Sequence, residues 1–272
     1  MAVKFPLPLL RGSEEAITYP AFVEYKIDGE FNWLYVEDGQ GYLKNKYTKI
    51  RPLESLNKLV EIPSVLSGSK IKEIVLLGEL FYGMGKAGDL YKFLSHKNDP
   101  DLSYKVFDIA LAKDESGKVL ISADDPIESR KEFLLELFLK STTMHIPLKS
   151  YLVNYEEEQK AIYDKAIEAG FEGVVVKPLG TKLLDGSCSY VKIKNKDRVT
   201  ALVVNIDPVL ERMDVEFNDV AIGVKLVNKD KARIKVGDLV VIEHQGILPS
   251  GSLRHPVFIR KGEEHDAENT KS

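Results

Sequence analysis

A lysine two residues before a glycine, at the end of an apolar run, is the first place in this sequence where chemistry is to be expected. Ala21, Phe22, Val23 and Tyr25 lead into Lys26-Ile27-Asp28-Gly29, so a half-buried strand would present the Lys26 amine where it ends. Alone, the pattern decides nothing, because a solvated strand lysine followed by an Asp-Gly turn is the ordinary reading. Its company decides more. Lys177 closes the run Glu172-Gly173-Val174-Val175-Val176-Lys177, and Lys192 and Lys194 alternate with apolar residues in Tyr190-Val191-Lys192-Ile193-Lys194. Period two puts Lys192 and Lys194 on one strand face and Lys177 on the face of Val175. Several such lysines, with Glu79 and Glu172 beside apolar strand runs, describe a cleft for a polyphosphate and a divalent metal.

These groups need strands to hold them, and the hydrophobic pattern supplies them. Strands are predicted over 22–26, 31–36, 73–80 and 104–111, with Asp38-Gly39-Gln40-Gly41 a hairpin leading to a strand at Tyr42 and Leu43. Leu53, Leu56 and Leu59 predict a short helix over 52–61. Asp125-Pro126-Ile127-Glu128 carries a cap, an N1 proline and a capping-box glutamate, followed by the stripe Leu134, Leu137 and Phe138. A second helix over 156–169 ends at Gly170. Both helices read as scaffold without chemistry. Lys44, Lys46, Lys49 and Arg51 alternate with Tyr47 and Ile50, either as a solvated face or as a track for a phosphate backbone.

Composition bounds the function classes. The 272 residues are 44% hydrophobic and 29% charged, which suits one large domain and one small one. No apolar run has membrane-spanning length, and Pro6 and Pro8 interrupt any leader, so a soluble cytoplasmic protein, or a viral one acting in its host cell, is expected. Cys188 is the one cysteine and excludes an internal disulfide, while the five histidines lack zinc spacing. A net charge of −4 gives no global case for nucleic acid, so any such partner is held by local patches. Gly83-Met84-Gly85-Lys86-Ala87-Gly88 has the dinucleotide spacing, but 96–100 breaks the helix that should follow; a loop is the better reading, and no P-loop is present.

In order along the chain, Lys26-x-Asp28-Gly29, Gly78-Glu79-Leu80, Tyr104-Lys105-Val106-Phe107-Asp108-Ile109, Glu172-to-Lys177 and Lys192-Ile193-Lys194 resemble the motifs of covalent nucleotidyltransferases, and most closely those of ATP-dependent DNA ligases. The resemblance implies an α+β protein: an ATP-grasp-like nucleotidyltransferase domain of antiparallel sheets with flanking helices, over 1–196, and a small β-barrel of OB-fold type over 197–261, with 262–272 a disordered tail. It implies Lys26 as the nucleophile that forms a lysyl-AMP, and an amine attacks only after losing its proton. Glu24 and Ile27 would meet the nucleotide, Glu24 reading the adenine, and Phe107 would stack on the base. Glu79 and Glu172 would serve ribose and Mg²⁺, and Lys177, Lys192 and Lys194 the phosphates. Lys44, Lys46, Lys49, Arg51, Lys196, Arg198 and Arg254 would meet nicked duplex DNA, and Arg260 would orient the pyrophosphate. The expected form is a monomer using ATP and Mg²⁺, with a hinge over 195–199.

One departure stands out. The family often reads Lys-x-Asp-Gly-x-Arg, and here Phe31 holds the arginine position, followed by Asn32. A planar bidentate donor is lost, and the pattern leans toward an RNA ligase. The β-rich runs over 201–206, 213–217, 221–227 and 239–243, with the segment Gly251-to-Arg260, lean back toward a DNA ligase. A non-catalytic nucleic-acid-binding module is the rival of another class.

Overall fold

The computed structural model describes residues 17–37, 40–47, 50–51, 65–66, 69–82, 102–139, 147–183, 190–226, 234–248 and 250–262. The helix predicted over 52–61, the 83–88 loop, Lys49, Cys188 and the tail beyond Gly262 lie outside these residues, as do His96, His145 and His265. Two compact units divide the chain, Met1–Ile193 and Lys194–Ser272.

The first unit is built on two sheets. One has the order β4-β3-β2-β6-β7-β8, formed by Ile50–Arg51 (β4), Gln40–Asn45 (β3), Glu30–Glu37 (β2), Ser69–Tyr82 (β6), Leu102–Asp114 (β7) and Val119–Ser122 (β8), with Val65–Leu66 (β5) added to β6. Among the described residues its strands pair antiparallel throughout. The other has the order β11-β10-β1-β9: Val191–Lys194 (β11), Gly173–Pro178 (β10), Ala21–Tyr25 (β1) and Ser150–Val153 (β9). Helix α1, Ile127–Leu139, and helix α2, Glu156–Glu168, flank them.

The larger sheet is covered on both faces, which is why β6 carries the unbroken run Ile74-Val75-Leu76-Leu77, wholly buried. Leu34, Leu76 and Val106 point to a core shared with Leu134 and Leu137 of α1. Trp33, Val75 and Leu77 point the other way, into a core that Phe22 and Val175 of the smaller sheet pack against. Alternation along β1 then sends Val23 to the α2 side and Phe22 and Glu24 to the side of the larger sheet.

A buried ion pair ties these layers. Arg130 of α1 donates from Nε to Asp108 Oδ1 at 2.8 Å and from Nη2 to Oδ2 at 3.2 Å, with neither side chain exposed. Tyr190 accepts from Arg130 at 2.7 Å and donates to Asp108 at 2.6 Å, and the Thr181 carbonyl accepts from Arg130 at 3.1 Å. Burial pushes the Asp108 carboxyl up, but the Arg130 charge overrides it and holds the group at about 2. The capping box behaves differently from its prediction. Glu128 accepts the Gly180 amide at 2.9 Å, while the Asp125 amide turns to the Ser122 carbonyl at 3.2 Å, because a tertiary neighbour offered the glutamate a donor.

The second unit contains a closed barrel of five strands in the order β12-β13-β14-β16-β15. They are Asp197–Asp207 (β12), Arg212–Phe217 (β13), Val220–Lys225 (β14), Leu239–His244 (β15) and Val257–Lys261 (β16). Asn218 and Asp219, with φ of 50° and 62°, make the two-residue turn between β13 and β14. β12 begins at Asp197 and pairs with β15, so of the predicted hinge only Asn195 and Lys196 lie outside strands. Gly262, assigned to the tail, donates to the Leu239 carbonyl at 2.8 Å. Among the described residues no helix is long and apolar enough to cross a membrane.

Replacing Arg130 with Met should cost about 3–5 kcal/mol in urea unfolding, since it strands a buried carboxylate. The Asp108 carboxyl lies near 2 when folded against an ordinary 3.8, so its contribution is present above about pH 4 and lost as pH falls toward 2. Acid unfolding of Asp108→Asn should lack this portion, on the order of 2 kcal/mol.

Candidate active site

Lys26 lies one residue beyond β1, in a ladder that continues past the strand: its amide donates to the Gly173 carbonyl at 2.8 Å, and its carbonyl accepts the Glu172 amide at 3.3 Å. This fixes Lys26 beside Glu172, and the ammonium donates to Glu172 Oε2. A cleft of about 320 Å³ opens here, with Lys26, Glu24, Ile27, Glu79, Phe107 and Lys177 in its wall. The β1–β10 register sets Glu24 opposite Val175 and Lys177 opposite Phe22, so Glu24 and Lys177 are diagonal neighbours on one face.

The inner end is a cluster of buried charges. Glu24 accepts from Lys177 Nζ at 2.6 Å, from Lys131 of α1 and from Ser150 of β9. Lys177 and Lys131 also donate to the Phe107 carbonyl, at 3.1 and 2.6 Å. The Lys177 ammonium lies 4.8 Å from the ring centre of Phe107 and 5.0 Å from that of Tyr190. Burial raises Glu24, but the attraction of Lys131 and then Lys177 outweighs it and leaves the carboxyl below its ordinary range. For Lys131 burial wins over the attraction of Glu24, and its ammonium falls to about 8.

Glu79, on β6, faces Lys26 from the larger sheet. Burial, reinforced by Glu172 and Asp28 against the pull of Lys26, lifts it to about 7. Crowded carboxylates of this kind are the chemistry of a divalent cation site. Among the described residues no three acidic, histidine or cysteine side chains converge into a complete ligand set.

Gly29 is required by close approach. A Cβ there would lie 2.3 Å from the Leu80 carbonyl oxygen and 2.9 Å from Glu79 Cγ. Phe31 also lines the cleft, edge-on to Trp33 at 4.7 Å and tilted toward Phe107 at 6.1 Å, so an apolar wall stands where an arginine was expected. Asn32 is turned away: it is fully buried and donates to Glu30 Oε1 at 3.3 Å.

The other predicted cations are distributed differently. Lys46 lines the cleft, and Lys44 is half-buried on β3, paired across from Trp33. Arg51 is described through its backbone pairing with Leu43. Lys192 lies on β11 and is not in the cleft wall, while Lys194 falls in the second unit and donates to Gln245 at 3.3 Å. Lys196 and Arg198 both pair with Glu243, at 3.2 and 3.5 Å. The Arg254 amide donates to the Gly246 carbonyl at 2.9 Å, and Arg260 on β16 donates to the Lys261 carbonyl at 3.1 Å. Lys131, Ser150, Arg130 and Tyr190 were not singled out as site residues from the sequence. Arg130 left one signal: Ile127, Arg130, Leu134 and Leu137 form a single buried stripe, and a cation there needs a partner.

Two packed sheets, a strand-end lysine on a glutamate and a carboxylate-rich cleft beside it define a nucleotidyltransferase-type ligase domain. The model of the ATP dependent DNA ligase domain matches residues 12–196, and the chain belongs to that family. Among solved structures it resembles a Lig E DNA ligase, described for DNA binding with a minimal scaffold, at a TM-score of 0.73 and 15% identity over 96% of this chain and 100% of that one. The ligase domain of M. tuberculosis LigD gives 0.54 and 13%, covering 98% of each chain. Chlorella virus DNA ligase-adenylate gives 0.51 and 18%, over 97% of this chain and 99% of that one. At these identities the likeness is one of fold. No curated protein matches the chain.

Gly29→Ala should force apart the Lys26 segment and β6. A loss of about 1–3 kcal/mol in thermal or urea unfolding is expected, as for other overpacked sites.

Proposed function

We propose that this chain is an ATP-dependent DNA ligase that seals nicks between a 5′-phosphate and a 3′-hydroxyl. The observation that carries the reading is the Lys26 ammonium held on Glu172 in a cleft shared with Glu79, Glu24 and Lys177. In the first step Lys26 Nζ attacks the α-phosphorus of ATP; a phosphorus–nitrogen bond forms, the bond to the bridging oxygen breaks, and pyrophosphate leaves. Glu172 Oε2, already accepting from Nζ, is the nearest resting place for the displaced proton. The 5′-phosphate then takes the AMP from Lys26 as a phosphoanhydride. Attack by the 3′-hydroxyl makes the phosphodiester and releases AMP. Glu79 and Glu172 would hold Mg²⁺, which supplies charge neutralisation at the phosphates. Positioning and electrostatics carry most of the rate in such transfers.

The barrel supports an OB-fold reading: its third and fifth strands, β14 and β16, run parallel and close a five-stranded Greek-key order. Lys44, Lys46, Lys49, Arg51, Lys196, Arg198 and Arg254 are proposed to meet DNA, and Lys192, Lys194 and Arg260 the phosphates of ATP. Asn32, whose place after the first motif leaned toward an RNA ligase, is fully buried and bonded to Glu30 away from the cleft, which supports the DNA reading.

Intact mass after incubation with ATP and Mg²⁺ should rise by one AMP in the parent, from which bound AMP has first been removed with pyrophosphate, and stay unchanged in Lys26→Ala. An unchanged parent overturns the reaction. An all-DNA nick should be sealed, and DNA affinity should fall steeply between low and physiological salt, as for any complex held by phosphate contacts; a binding constant indifferent to salt would contradict the proposed patches.

A further inference from the structure

The acceptor positions of the Glu24 carboxylate are nearly all taken. Oε1 accepts from Lys131 Nζ and from Ser150 Oγ, and Oε2 accepts from Lys177 at 2.6 Å. Each carboxylate oxygen has two lone-pair directions, so Oε2 keeps one. Lys177 has three N–H donors, of which one goes to Glu24 and one to the Phe107 carbonyl at 3.1 Å, and among the described residues the third has no hydrogen-bond acceptor. Glu24 and Lys177 both line the cleft, and their side chains are only 1% and 2% exposed. The wall therefore offers a buried acceptor beside a buried donor. That pair complements an exocyclic amino group next to a ring nitrogen, as on the edge of adenine; guanine presents a carbonyl oxygen there instead.

We propose that Lys131 and Ser150, neither of them in the cleft wall, are positioning residues that set this polarity: by occupying Oε1 they hold the Glu24 carboxylate in one orientation and make the cleft select a 6-aminopurine. The inference rests on the cleft binding ATP. Without Lys131, Oε1 would be left half-satisfied in a buried place. The carboxylate could then turn both oxygens to Lys177 or take up a proton, and a protonated carboxyl donates where adenine needs an acceptor. Lys131 also donates to the Phe107 carbonyl at 2.6 Å, so one ammonium fixes both the carboxylate and the segment that carries the Phe107 ring. The depressed Glu24 carboxyl, with Lys131 the strongest attraction opposing burial, agrees with this arrangement.

The test is equilibrium binding of ATP, GTP and purine riboside 5′-triphosphate, which lacks the 6-amino group, to the full chain and to Lys131→Met, Lys131→Arg and Ser150→Ala. The parent should prefer ATP to the desamino analogue by about tenfold or more, and ATP to GTP by more. Lys131→Met should lose most of both ratios while its affinity for the desamino analogue changes by less than about twofold, and Lys131→Arg should restore them. Ser150→Ala should move the ratios the same way by about threefold, and it decides the matter if Lys131→Met does not fold. Equal weakening of all three nucleotides in Lys131→Met, unchanged ratios in Ser150→Ala, or a parent indifferent to the 6-amino group overturns the proposal. The ligase reading fails separately: selective binding without an AMP adduct overturns the reaction alone, and an adduct with unchanged ratios in the variants overturns this inference alone.

Discussion

The first unit depends on the compensation of two charges taken entirely out of water. Asp108 and Arg130 have no exposed surface, and such a pair is tolerable only when nearly every remaining donor and acceptor is met. Here Tyr190, the Thr181 carbonyl and the Asp125 carbonyl complete it. The partners come from β7, from α1 and its approach, and from the connection between β10 and β11. One interaction thus sets the spacing of pieces far apart in the chain. Phe107 precedes Asp108, Lys131 follows Arg130, and Tyr190 is itself a partner, so the structural pair and the cleft wall share adjacent residues. Any disturbance of the pair reaches the cleft through these neighbours.

Much of this was legible in the sequence because strand and helix periodicities are local. The alternation Phe22, Glu24, Lys26 and the run Ile74 to Leu77 each fit one environment; β1 formed one residue earlier than predicted, leaving Lys26 just outside it, and β6 covers the predicted run and extends it to Ser69 and Tyr82. The motif residues Glu24, Lys26, Glu79, Phe107 and Lys177 do converge on one cleft. Lys131 and Ser150 were hidden for the opposite reason. They meet Glu24 across 107 and 126 residues of chain, and no short-range pattern encodes a contact of that kind. Glu128 shows the limit of local rules from the other side: its spacing was that of a capping box, yet the Gly180 amide gave it a tertiary partner. The barrel runs were visible as β-rich segments, whereas β14 meets β16, among the described residues, at the parallel pair Lys225 and Val257, a long-range pairing.

The charges of the second unit follow a different economy from those of the cleft. Lys196 and Arg198 are more than half exposed and share one acid, Glu243, so each pair is weak and readily exchanged. In the cleft, by contrast, Glu24 and Lys177 are sealed from water and hold fixed positions. Exposed pairs can be exchanged at little cost, while buried ones fix their groups in place before any ligand arrives.

Phe31 carries a consequence for the thermodynamics of nucleotide capture. With its ring, Trp33 behind it and Phe107 across from it, the wall is apolar where the family often carries a guanidinium. A ligand ring closing on that surface removes hydrocarbon from water instead of exchanging hydrated charges. Its association should therefore carry a negative heat-capacity change, so that the binding enthalpy grows more favourable with temperature.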